Sequence, residues 1–257
     1  MPNKKNQLEV TTEFSDNLKV HLLKALESDP KFAEAHFQLA LIYQEDGDYK
    51  TAETYFWEAI ESDSQQICEI EKQVEKLLEK FQFQNAKILF MKAQAKKHHC
   101  AEAYVQLSNL YENQKKITKA QTCLQNSIEL NPASSKAHRN LGILLSQQKS
   151  YDSARLNIEK ALDLDYSDCL SHFNLGIIMK QTQHYANAEL HFLTALDINP
   201  LYGVCMLEMA LLQIVMKNQK VAKKYYQKAR EISPDIKHAK LDKILRKIVV
   251  QNEKKKS

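Results

Sequence analysis

Every 34 residues along this chain the same kind of position returns. Proline or a turn-like residue stands at Pro30, Ser64, His98, Pro132, Tyr166, Pro200 and Pro234, without one insertion or deletion. Twelve residues before the last six of these come Ala52, Ala86, Ala120, Ala154, Ala188 and Ala222; five before them come Ala59, Ala93, Ser127, Ala161, Ala195 and Ala229. A fixed period of this length marks an array of supersecondary units that bury their apolar faces by stacking on one another. With four glycines and five prolines in 257 residues, the chain cannot punctuate a many-stranded sheet, whose hairpins need such residues. The expected fold is all-α, helices joined by short turns.

The pattern explains itself as two antiparallel helices per unit. Ala40, Ser108, Gly142, Gly176 and Ala210 would face the alanines of the second helix and let the axes approach at the short end of the usual 8–10 Å range. Leu39, Tyr43 and Phe56, and later Leu107, Tyr111 and Leu124, would fill the space around them. Full units start at Ala33, Ile67, Ala101, Ser135, Cys169 and Gly203, so 31–236 holds six of them. The second is degenerate, with Gln73-Val74 where the others place a large apolar residue and then a small one. Residues 15–30 match a second helix alone, and 1–14 are expected to be flexible. At 237–250, Leu241, Ile244, Leu245 and Ile248 form one apolar stripe, the design of a capping helix, before a basic disordered tail at 251–257.

Over about residues 15–236 this pattern resembles the tetratricopeptide repeat. The resemblance implies a right-handed α-solenoid whose first helices line a concave groove through positions 2, 5, 6, 9, 12 and 13 of each repeat. Position 6 reads Gln38, Lys72, Gln106, Asn140, Asn174 and Glu208. Asn140 and Asn174 resemble the asparagine ladder of O-linked GlcNAc transferase repeats, where amides grip the backbone of an extended peptide. An amide suits that task because it both donates and accepts; the alternative is a satisfied surface asparagine. Arg139, Asn109, Phe173 and Ile177 fall on the same implied groove. So do Glu71, Glu75 and Glu79, an i,i+4 row of like charge that costs its helix a few tenths of a kcal/mol per pair unless a cation faces it. Leu170, Phe173, Ile177, Val204, Leu207 and Leu211 would make the far end apolar, open either to a partner or to the chain's own cap. The cations of the carboxylate-clamp type are missing: its positions hold Val105, Asn109, Asn140, Leu170 and Asn174, or Arg139, Ile143, Asn174, Val204 and Glu208.

Catalytic signals are weak. His36, His138 and His172 share the fourth position of their repeats and read as packing residues. "HHC" (98–100) lacks the spaced pairs of known zinc sites. The glycines are committed to turns and helix contacts, leaving none for a phosphate loop. We expect no enzyme, metal or cofactor. The five cysteines form no CxxC and suit a reducing cytoplasm. "MPNKKNQLEV" has no apolar run of signal-peptide length, and "GVCMLEMALLQIVM" (203–216) is too short to cross a membrane. The expected role is an adaptor that binds a protein segment. Two alternatives rest on charge. Residues 217–257 carry 14 Lys/Arg against 4 Asp/Glu, within a net charge of +4. That basic end could touch nucleic acid or anionic membrane, although nucleic acid lacks an aromatic stacking platform here. It could also meet the acidic half of another copy head to tail.

Overall fold

The computed structural model describes the backbone of residues 4–236, 238, 241 and 242, and side chains in that range from residue 16 onward. Among the described residues all regular structure is helical: α1 (Lys4–Ser28), α2 (Ala33–Glu45), α3 (Tyr49–Glu79), α4 (Phe83–Asn113), α5 (Ile117–Leu130), α6 (Ser135–Gln147), α7 (Tyr151–Leu164), α8 (Cys169–Gln181), α9 (Tyr185–Ile198), α10 (Gly203–Val215) and α11 (Gln219–Ile232). The chain forms an α-solenoid of helix–turn–helix repeats, divided into two compact units, Met1–Asn140 and Leu141–Ser257. Helix α1 begins at Lys4, so most of the stretch expected to be flexible, 1–14, is helical backbone.

The turns within repeats are built alike. Gly47, Phe81, Lys115, Lys149, Gln183 and Lys217, 34 residues apart, all adopt the left-handed conformation, with φ of 81°, 56°, 58°, 62°, 65° and 64°. The residue after each donates its backbone N–H to a carbonyl five positions earlier, as in Asp48 to Tyr43 and Lys116 to Tyr111, at 2.8–2.9 Å. This is the Schellman closure, which satisfies carbonyls the helix end would otherwise orphan. Only the first repeat uses glycine for it.

The turns between repeats depend on a different side chain. Asp29, Asn131, Asp165 and Asn199 each accept from the backbone N–H two residues on, at 3.0, 3.3, 3.0 and 3.2 Å. These are Asx-turns, which bend the chain locally. Tyr166 therefore sits inside such a turn, at the place where Pro30, Pro132 and Pro200 stand in the others. Between Asp29 and Asn131 the same register position is held by Asp63 and Lys97. The Asp63 carboxylate is taken by Lys96 at 2.8 Å and by His99, and lysine has no acceptor to offer. No turn forms at either place. The second helix of repeat 1 runs on into the first of repeat 2 as α3, and the second of repeat 2 runs on into the first of repeat 3 as α4. The helix ends expected at Ser64 and His98 are thus helix interior.

In the first unit this has a large consequence. Repeat 3 stacks directly on repeat 1. The Trp57 ring meets Tyr104 edge-on at 5.8 Å, Trp57 Nε1 donates to Tyr111 Oη at 3.4 Å, and Tyr111 Oη donates to Glu53 at 2.8 Å. Phe56, Ile60, Leu107 and Leu110 are buried around this contact. Residues of repeat 2 become the distal part of an α3–α4 hairpin. Its seam is thin: Ala86 and Ala93 are buried, Val74, Leu77 and Leu89 half-buried.

The second unit is regular. Ile158, Leu175, Ile178, Phe192, Met209 and Leu212 form its core with Ala154, Ala188 and Ala195. The close approach expected at the small residues is present: a Cβ on Gly142 would lie 2.7 Å from the Ile158 side chain, and one on Gly176 would lie 2.6 Å from the Phe192 ring. Of the expected cap at 237–250, Leu241 is buried against Ala210 and Tyr226, with Leu207 and Leu211 packed alongside. Most of that segment, and the tail at 251–257, lie outside the described residues.

Candidate functional site

In the first unit, the amides on the first helices of repeats 3 and 4 form a connected row. On α4, Gln106 Nε2 donates to Glu102 at 3.3 Å, and Asn109 Nδ2 donates to Gln106 Oε1 at 3.5 Å. On α6, Asn140 Nδ2 donates to Asn109 Oδ1 at 3.2 Å, and Arg139 Nε donates to Asn140 Oδ1 at 3.4 Å. Lys136 closes the row at Glu102, 3.4 Å away. All but the exposed Lys136 are half-buried. Each amide donates to one neighbour and accepts from another, which fixes its orientation and leaves one N–H and one lone pair of its four hydrogen-bonding sites. The structure therefore brings together Gln106, Asn109, Asn140 and Arg139. On α2, Gln38 bonds within its own helix, Nε2 donating to Glu34 at 2.7 Å.

Lys72, Glu71, Glu75 and Glu79 are placed elsewhere. They lie past Ser64 on the continuous α3, on the hairpin rather than alongside Gln38 and Gln106. The cation that the glutamate row called for comes from the chain itself, since Lys97 meets Glu71 at 2.7 Å.

In the second unit, Asn174 Nδ2 donates to the Leu170 carbonyl of its own helix at 2.7 Å. Phe173 packs on Phe192 and Tyr202, with ring centroids 5.9 and 5.0 Å apart, and Ile177 packs on the same core. Leu170 and Val204 stay exposed. Lys180 pairs with Glu208, so the carboxylate that departs from the amide pattern is neutralised within the unit.

The recurrent histidines have a structural task. His36, His138 and His172 place Nε2 at 2.9, 3.2 and 3.0 Å from the carbonyls of Pro30, Pro132 and Tyr166, each six residues earlier. A carbonyl only accepts, so Nε2 carries the proton and ties each inter-repeat turn to the helix after it. The signal was in the sequence as a fixed offset from the turn position. His98, His99 and Cys100 diverge in their partners: Asn131, Asp63 and the Ile60 carbonyl. Burial pushes the Cys100 and Cys123 thiols up to about 11 and Cys205 up to about 12, far from the thiolate that nucleophilic chemistry needs.

Asp63 is the most deeply buried carboxylate here, at 1 % exposure. Burial alone would raise its pKa, but the hydrogen bonds from His99 and Lys96 outweigh it and hold the carboxyl below its usual range. The same bond raises the His99 pKa against its own burial, and Glu34, 3.2 Å from Nε2, adds to the rise. Asp29, Lys31, Phe32 and Gln66 join these groups around a cavity of about 280 Å³ at the hairpin base.

Paired-helix repeats closed by regular αL turns define a helical-repeat scaffold. Residues 21–54 and 101–134 each match a model of the tetratricopeptide repeat, so the chain carries repeats of that family. Among solved structures it is similar to one from the functional characterisation of Pseudomonas aeruginosa pilF, with TM-score 0.68 and 19 % identity over 95 % of each chain. It is also similar to YrrB, a TPR protein with an unusual peptide-binding site, at 0.56 and 17 % over 83 % of this chain and 93 % of that one. MamA follows at 0.55 and 14 %, over 80 % and 97 %. At such identities the likeness establishes the fold alone. No curated protein matches the chain in sequence. No helix among the described residues is long and apolar enough to cross a membrane.

Proposed function

We propose that the chain is a non-catalytic adaptor that holds an extended segment of a partner protein against the first helices of repeats 3 and 4. The observation that carries this reading is the row Gln106–Asn109–Asn140, whose amides are oriented by one another and by Arg139. Oriented amides can read the peptide backbone whatever the side chains, and they lose little freedom on binding because the row already holds them. With Glu71, Glu75 and Glu79 on the hairpin, this reading calls for no basic ligand at the amide row. Backbone recognition supplies the affinity.

The test is a peptide selected on the wild-type protein from a random library, then titrated calorimetrically into wild type and an Asn109→Ala/Asn140→Ala variant of equal helicity. Two lost amide contacts at about 1 kcal/mol each should weaken binding by more than tenfold. Unchanged affinity would move the ligand away from the amide row.

A further inference from the structure

The α3–α4 hairpin carries a surface that the adaptor reading does not use. Phe83 and Phe90 stand seven residues apart on α4 and so lie on one side of it, with Lys97 a further seven along. On α3, Leu78 and Glu71 are related in the same way. Glu71 and Lys97 pair across the seam at 2.7 Å, which puts both stripes on the same face of the hairpin. The Phe81 ring at the tip lies 6.1 Å from that of Phe83 and joins them. Leu78, Phe81, Phe83 and Phe90 are 46, 78, 61 and 53 % exposed. At roughly 200 Å² for a large side chain they open on the order of 450 Å² on one face, the size of the largest apolar patch on a typical monomer, which is often a functional one.

We propose that this face is where a second copy of the chain docks, the two hairpins packing face to face with their tips together. Area and charge both point to that occupant. Two such faces and their polar rims reach roughly 1,200 Å², the low end of stable interfaces. From Phe83 to His99, α4 carries four lysines and no carboxylate, whereas α3 from Ile67 to Glu79 carries four glutamates and two lysines. Facing like helices would set lysines against lysines. A two-fold axis along the hairpin sets each α3 over the other copy's α4 instead. The register then matches residue by residue. Asp63 meets His99 at the hairpin base, so Glu75 and Lys87, each twelve residues nearer the tip, share one height. Each stands one turn from a member of the face, Glu71 or Phe83. In the paired hairpins Glu75 of one copy lies over Lys87 of the other, twice, around a centre of phenylalanine. This contact closes by symmetry and stops at two copies, unlike a head-to-tail chain.

The experiment is sedimentation velocity of the full chain over a range of concentrations. Wild type should pass from 29.7 kDa to twice that mass and no further. Phe83→Glu/Phe90→Glu, with unchanged helicity since both residues are exposed, should remain a monomer. Glu75→Lys and Lys87→Glu should each raise the dimer dissociation constant by more than about tenfold, and mixing those two variants should restore a dimer containing one of each. Wild type that stays monomeric at every concentration overturns the proposal. So does a dimer that survives the phenylalanine substitutions, or a mass that grows past two copies. The same holds if the wild type stays monomeric yet sediments with phosphatidylserine vesicles through Phe83, which would make the face a membrane contact.

Discussion

Replacing Lys149 by glycine should make the protein more stable, although the substitution removes a side chain and adds nothing. Lys149 is exposed and sits at φ 62°, where the Cβ of an L-residue crowds its own carbonyl at roughly 1–2 kcal/mol. Glycine escapes that penalty but loses more backbone freedom on folding, about 0.5–1 kcal/mol. The difference leaves a gain of about 0.5–1 kcal/mol. The closing bonds, Lys149 to Ser146 at 3.0 Å and Ser150 to Leu145 at 2.9 Å, are backbone only and survive the change. Lys115, Gln183 and Lys217 occupy the same place in their repeats. Changing all four should add up, since separated sites act independently, to about 2–4 kcal/mol. Urea unfolding followed by circular dichroism reads the shift in midpoint. The reverse substitution, Gly47→Ala, enters open space with no neighbour within 4 Å but at φ 81°, and should cost about 1 kcal/mol. A lower midpoint for Lys149→Gly, or no loss for Gly47→Ala, would refute the argument that turn strain outweighs chain entropy here.

Gly176→Ala should destabilise by about 1–3 kcal/mol, because the new Cβ meets the Phe192 ring at 2.6 Å and the ring is itself buried; thermal unfolding measures it, and a neutral result would mean the ring yields freely. Ser64→Pro should cost about 3 kcal/mol or more, as proline does inside a helix, whereas at a true repeat boundary like that of Pro132 it would be tolerated. The Asp63–His99 pair should make stability depend on pH at both ends. Asp63 is lowered from 3.8, so its contribution is complete above that pH and fades as pH falls through the folded value. His99 is raised from 6.5, so its contribution is complete below that pH and fades as pH rises through the folded value. Asp63→Asn should flatten both slopes in urea midpoints taken across pH, and parallel profiles for wild type and variant would contradict the coupling.

Much of this was legible in the sequence. Ala52, Ala120, Ala154, Ala188 and Ala222, read from spacing as contact positions, are all fully buried, and Gly142 and Gly176 have the close neighbours their size implied. Gln106, Asn109 and Asn140, which the resemblance put at groove positions, are joined by hydrogen bonds. What the period could not reveal was whether a turn is made at each register position, because a continuous helix keeps the count as well as a folded one. The deciding residues were visible, Asx at 29, 131, 165 and 199 against Asp63 and Lys97. Reading them, however, required knowing that His99 and Lys96 would claim the Asp63 carboxylate from 33 or more residues away. The glutamates at 71, 75 and 79 went to the hairpin for that reason. Asn174 shows the other limit: its type matches Asn140, but its amide turns back to Leu170, a choice set by its neighbours.

The continuity of α3 past Ser64 underlies the hairpin, the stacking of repeat 3 on repeat 1 and the placement of the glutamates. Spin labels at Thr54 and Lys76, in a Cys68→Ser background diluted with unlabelled protein, test it by pulsed electron resonance. An unbroken helix sets the two positions about 33 Å apart at 1.5 Å per residue. A repeat folded back at 64–66 would bring them side by side at about 10 Å, the spacing of packed helices. The account predicts a single distance near the first value; a distribution centred near the second would contradict it.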